Sequence, residues 1–217
     1  MAAQLKYSYD TPKGVPGGKV DISFDNVDTR TNEEADGVLK YGMAVQTGTY
    51  PGTTVKVPTS GATKSAIEGV ALSLPNTEQD MQGNVVVRNG ATIGVMRWGK
   101  VWGRLASDAA PVSGQTAYVV VDGEEAGSFT SASTAASVYV KCASTDSGAK
   151  EVVADDTASP TSSQIKVAAV TPVQNGYSPA VGDYVLSKQI HGATLDAGIV
   201  FGNQTDADNG IAIVEIR

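Results

Sequence analysis

The chain has one cysteine, Cys142, and one histidine, His191. One cysteine cannot close an internal disulfide, and one His with one Cys cannot supply the ligands of a structural zinc site. Closing the strand-like run 138–142, Cys142 reads as a small buried hydrophobe rather than a reactive thiol. Charge is sparse as well. Only 18% of residues are charged, and the formal net charge is −7. Phosphate neutralisation needs basic clusters, so neither nucleic acid nor an anionic membrane surface is expected as a partner. The acidic excess itself reads as solubility. No apolar run is long enough to span a bilayer, and MAAQLKYSYD lacks the apolar centre of a secretory signal. Synthesis in a reducing cytosol is the expectation. Leucine is scarce: 7 Leu stand against 28 Val and 9 Ile. Leucine favours helices and valine favours strands, while 24 Gly and 9 Pro cut the chain into short pieces. These shortages together point to an all-β barrel or sandwich.

Catalytic constellations are missing too. No Gly-x-Ser-x-Gly elbow accompanies His191, and no glycine-rich loop ends in Lys-Ser or Lys-Thr. Carboxylates cluster at Glu33, Glu34 and Asp36, at Glu124 and Glu125, and at Asp155 and Asp156. Sequence-adjacent acids of this kind read as solvated turns. Residues 206–210, DADNG, lack the spacing and closing Glu of a calcium loop, so they read as a turn into the last strand. No enzyme, metal or cofactor is expected.

Apolar alternation and β-branched runs place strands over residues 19–24, 38–47, 55–57, 66–74, 85–87, 117–121, 138–141, 165–173, 184–187, 198–201 and 211–216. Residues 26–36 are polar and turn-rich, with a weak helix signal near Glu33. Residues 143–164 hold almost no large apolar group besides Val152 and Val153 and read as a long loop or an exposed hairpin. Residues 1–18 carry Pro12, Gly14, Pro16, Gly17 and Gly18, a composition for an extended arm. Tyr7 and Tyr9 share a parity and are suited to anchor it.

Residues 68–105 stand out. Val85, Val86 and Val87 form a strand run, and Asn89-Gly90 signals a hairpin. By period two, Met96, Trp98 and Trp102 share one face, and Val95 and Val101 lie on the other. The tryptophans suit either a barrel core or a binding hot spot, with Arg97 and Arg104 beside them to pair with carboxylates of a partner.

Several segments resemble the structural cement proteins of tailed bacteriophages. They are residues 7–10 (YSYD) with 14–18 (GVPGG), 68–71 (EGVA), 90–95 (GATIGV), 99–103 (GKVWG), 117–121 (AYVVV) with 127–130 (GSFT), and the closing 210–216 (GIAIVEI). The resemblance covers roughly residues 1–135 and 192–217. It implies a β-barrel or β-sandwich-like, tulip-like domain over 19–135 plus 192–217, with an extended arm at 1–18. Residues 136–191 form a β-rich, surface-projecting insertion before the last strand. It implies a non-enzymatic decoration protein, assembled in the host cytoplasm and resident on the outer surface of the virion. The expected partners are the major capsid protein and further copies of the chain, a trimer ahead of a dimer. The residues placed at these interfaces are Tyr7, Tyr9, Asp10, Pro12, Val15, Pro16, Arg97, Trp98, Trp102 and Arg104. The alternative is a carbohydrate- or receptor-binding β module of a phage tail or surface protein.

Overall fold

The structure is a computed structural model that describes residues 14–75, 78–79, 81, 85–133, 136–142, 145, 147–170, 178–206 and 209–217. For residues 136–139 and 187–191 it describes the backbone alone. The strands are β1 (Asn26–Asn32), β2 (Ala44–Thr47), β3 (Thr54–Lys56), β4 (Ile67–Ala71), β5 (Thr92–Arg104), β6 (Thr116–Val120) and β7 (Phe129–Thr130), then β8 (Ala136–Cys142), β9 (Lys150–Val153), β10 (Gln164–Lys166), β11 (Tyr184–His191), β12 (Thr194–Asp206) and β13 (Ile211–Ile216). Two single 3-10 turns are the only helical pieces among the described residues.

Nine strands form one sheet in the order β1-β3-β2-β4-β5-β13-β12-β6-β7. β1 also pairs with β5, so the first five strands close on themselves. Closure removes the open edges that invite aggregation. Leu39, Val45, Val55, Ala71, Ile93 and Val95 fill that first barrel. The remaining strands curl from the other half of β5, and a bridge from Leu105 to Phe129 ties β7 back to its end. Val101, Val119, Phe129, Phe201 and Val214 pack there against Val70, Leu72 and Met96. β4 shows the logic: Val70 and Leu72 serve one core and Ala71 the other, as alternation along a strand requires.

β5 is the wall common to both cores, and its 13 residues change sides part-way. Asn26 pairs with Trp98 but Val27 pairs with Met96, so Arg97 is the extra residue of a bulge. Gly99 follows at φ +127, a conformation that a side chain rarely adopts. Before the bulge Met96 faces the second core; after it Val101 does, while Trp102 turns to a separate cluster with Ile211 and Ile213. The face assignment from simple parity is thereby corrected. Met96 shares a core with Val101, not a face with the tryptophans, because one inserted residue inverts the count.

A second sheet, β10-β9-β11-β8, is built entirely from strands between Ala136 and His191. Val152, Val170 and Val185 make its own small core.

Other local expectations also change. Residues 19–24 form no strand; Lys19 makes one bridge to Val101, and Ile22 and Phe24 stand in solvent. Residues 26–36 contain β1 rather than a turn or helix. Val85 makes only an isolated bridge to Gln79, so residues 85–87 are not half of a hairpin. Asn89-Gly90 does turn the chain, with Ala91 N–H donating to the Arg88 carbonyl at 3.1 Å. Residues 143–164 include β9, not a bare loop. The long runs at 38–47, 66–74 and 165–173 shrink to β2, β4 and β10. Cys142 is partly buried.

One carboxylate fastens β1 to the turn before β3. Glu33 accepts the Thr49 N–H and hydroxyl, both at 2.6 Å, and the Thr54 hydroxyl at 2.7 Å. The Thr49 hydroxyl leads in holding the carboxyl down from 4.5 to about 2. A depressed folded-state pKa stabilises fully above the ordinary value and fades as pH falls through the depressed one. Melting curves between pH 6 and pH 2 should therefore fall more steeply for the parent than for Glu33→Gln below pH 4.5. Parallel curves would remove Glu33 as the acid-sensitive tie.

Candidate functional site

Beyond the end of β1, the edge of β5 opposite β13 is taken by residues 17–20. Gly17 N–H donates to the Trp102 carbonyl at 2.7 Å, Trp102 N–H to the Gly18 carbonyl at 2.9 Å, and Val20 N–H to the Lys100 carbonyl at 3.3 Å. Gly17 also accepts from Ser73 N–H at 2.8 Å, so the segment is stitched on two sides. Trp102 is 4% exposed and packs with Ile211, Ile213 and Val20. Gly14 lies so close that a methyl group there would enter the indole ring. The first described residue, Gly14, thus lies over Trp102.

After Val20 the chain makes a short outward loop before β1. Asp21 caps it, accepting from the Ser23 backbone N–H at 2.9 Å and from the Ser23 hydroxyl. Ile22 is fully exposed, Phe24 is 90% exposed, and Val27 is open to solvent as well. Trp98 sits beside this loop, paired with Asn26, and is 48% exposed. Clustered large apolar side chains of this kind mark an interaction surface.

Ion pairs frame the patch. Lys19 meets Asp25 at 2.6 Å, Lys100 meets Asp21 at 3.8 Å and Arg97 meets Asp28 at 3.0 Å. Arg30 reaches both Asp28, at 2.9 Å, and Glu68, at 2.7 Å. The Arg97 hydrogen bond leads in lowering the Asp28 carboxyl, and the Ser23 hydroxyl leads for Asp21. Both acids therefore stay ionised in mild acid. Exposed pairs contribute little to stability. Their effect here is to neutralise the rim and leave the centre apolar.

The residues singled out from sequence fall into three groups. Tyr7, Tyr9, Asp10 and Pro12 lie outside the described residues. Val15 is exposed and Pro16 partly buried in the segment along β5. Trp98, Trp102 and Arg104 keep one parity of β5 after the bulge, spread over about 20 Å at strand rise. Trp98 borders the exposed loop, Trp102 is covered, and Arg104 donates from Nε to the Tyr41 carbonyl at 2.8 Å. Arg97 is committed to Asp28. Sequence reasoning missed Ile22 and Phe24 as surface residues, because their alternation with Val20 mimics a buried strand. The polar residues between them, Asp21, Ser23 and Asp25, were the available warning.

Among the described residues no three His, Cys, Asp or Glu side chains are grouped to hold a metal, and no helix is long and apolar enough to cross a membrane. No curated protein matches the chain. A chain in the solved structure "The capsid of Myoviridae Phage XM1" shares the fold, with a TM-score of 0.58 and 16% identity over 100% of this chain and 98% of that one. The family described as structural cement protein (E217 gp24/Pam3 gp6) matches residues 3–217. That span takes in residues 136–191, which the motif resemblance leaves out. The chain belongs to the structural cement proteins of bacteriophage capsids.

Proposed function

We propose that the protein binds the outer surface of the phage head, bridges adjacent major capsid protein subunits and holds the expanded shell against the pressure of packed DNA. The family match over residues 3–217 carries this reading. The neutral-rimmed apolar loop around Ile22 and Phe24 supports it. The action is mechanical. A standard interface buries about 1,600 Å² in total, and every such contact must break before the shell opens. Many copies on one rigid lattice add avidity to modest single contacts. The double barrel of residues 19–135 and 192–217 would sit on the shell, and the sheet within residues 136–191 would project from it. A small closed homo-oligomer, a trimer ahead of a dimer, suits a local capsid axis.

Purified protein added to expanded heads lacking it should bind saturably at one class of local axis, read by cosedimentation and cryo-electron microscopy. Decorated heads should release DNA at a higher temperature than bare ones. Absence of binding, with the protein found in a few copies on tails, would favour the receptor-module reading instead.

Truncation tests the arm. Deleting residues 2–12 spares Gly14 and its cover over Trp102, so the melting temperature should not change. Head binding should weaken by about tenfold or more through lost bivalency. Equal binding would remove the arm from the mechanism.

A further inference from the structure

Of the five arginines in the chain, four are ion-paired within it. Arg30 holds Asp28 and Glu68, Arg88 holds Asp36 and Glu78, Arg97 holds Asp28, and Arg217 holds Glu215. Arg104 has no carboxylate partner among the described residues. It is nevertheless partly buried, and its only side-chain bond among the described residues is from Nε to the Tyr41 carbonyl at 2.8 Å. That bond fixes the plane of the guanidinium and leaves both Nη atoms without a described partner. Arg104 lines a cavity of about 530 Å³ together with Lys40, Tyr41 and the backbone run of Val85, Val86 and Val87. Lys40 has no ion pair among the described residues either. One acid acts on Tyr41: Glu78 helps raise its phenol, after burial. Glu78 is itself held by Arg88 Nε at 2.8 Å.

A guanidinium withdrawn from water without a counter-charge is a cost to the isolated protein. Burial accordingly lowers the pKa of Arg104. The chain has a net charge of −7 and supplies acids to the other four arginines, so Arg104 stands apart from them among the described residues. The free Nη edge has the planar fork that takes a carboxylate bidentately, and Lys40 adds a point charge on the same cavity. Arg104 also follows Trp98 and Trp102 on one parity of β5, with the covered Trp102 lying between the exposed Trp98 and the cavity.

We propose that the cavity at Arg104 and Lys40 is a receptor for an acidic side chain of the major capsid protein, completing an ion pair for which the described residues supply only the cation. The inference rests on the capsid-binding reading and names the chemistry of one contact within it.

The test measures affinity for expanded heads lacking the protein, with Arg104→Met, Arg104→Lys and an exposed control, Lys150→Met, beside the parent. Arg104→Met keeps the apolar stem and should bind about 100-fold more weakly, since breaking one partner of a desolvated pair acts mainly on dissociation. Arg104→Lys keeps the charge without the fork and should fall between. The control should match the parent. Melting curves should show Arg104→Met folded and no less stable than Arg104→Lys. Parent-like binding by both Arg104 variants would overturn the inference while leaving the capsid role intact. Failure of the parent to bind would overturn the capsid role and the inference with it. Weakened binding accompanied by dissociation of the oligomer in free solution would overturn the coat assignment and give the carboxylate to a second copy. Stabilisation of the parent but not Arg104→Met by inorganic phosphate alone, with head binding unchanged, would assign the site to a free anion.

Discussion

Replacing Ile22 and Phe24 together by aspartate is expected to lower affinity for expanded heads by at least about 100-fold, with the melting temperature within about 2 °C of the parent. Both side chains already stand in water, so the folded chain loses no packing when they change. Substitutions at such positions stay within about 0.5 kcal/mol of neutral. In a complex the same side chains would each gain about 1.5–3 kcal/mol by leaving water, and the introduced carboxylates would have to be desolvated as well. Two such losses correspond to a factor of about 10² to 10⁴ in affinity. Calorimetric melting and cosedimentation with heads read the two halves of the claim separately. Retained binding would move the contact to another face. Lost stability would mean that the loop packs more closely than its exposure indicates.

The opposite behaviour is expected of Trp102. Its indole is buried by Gly14, Val20, Ile211 and Ile213, so Trp102→Ala empties a site at the joint between β5, β13 and the N-terminal segment. Removing a buried aromatic costs about 3–5 kcal/mol. For a chain of this size that is a fall of about 10 °C in melting temperature. The segment of residues 14–20 should also loosen, because its hydrogen bonds to Trp102 and Lys100 lose the packing that protects them. Limited proteolysis should then cut between Gly14 and Phe24 in Trp102→Ala and spare the parent. An unchanged melting temperature would show that the segment does not lock onto the barrel through this ring.

The all-β class was legible because valine outnumbers leucine and turns are frequent. Residues 211–216 were read with their bounds intact, since an apolar run between two packed strands has no other reading. β1 was not legible. Its sequence, NVDTRTN, has no apolar face, and it is held by backbone pairing to β5 and by Arg30 and Asp28. Residues 19–24 erred in the other direction: the alternation of Val20, Ile22 and Phe24 is real, but contact with β5 stops at Val20 and the next two project into solvent. The two faces of β5 were inverted by one bulge, which period-two counting cannot see. At the candidate site, the sequence left both tryptophans between barrel core and binding surface, and the fold separates exposed Trp98 from buried Trp102. The difference between Arg97, paired with Asp28, and Arg104, which has no carboxylate partner among the described residues, was not readable. It depends on which strand lies alongside each half of β5.

The second sheet has a consequence for what the shell can carry. The chain leaves the nine-stranded sheet at the end of β7 and returns to it at the start of β12, and these two strands flank β6 on either side. Exit and return are therefore two strand spacings apart, roughly 10 Å. The described strands between them, β8 to β11, form a sheet with its own valine core. A foreign domain whose termini lie at that separation can take the place of residues 136–191 without displacing a barrel strand. Each decorated head would then display its guest at the copy number of the lattice.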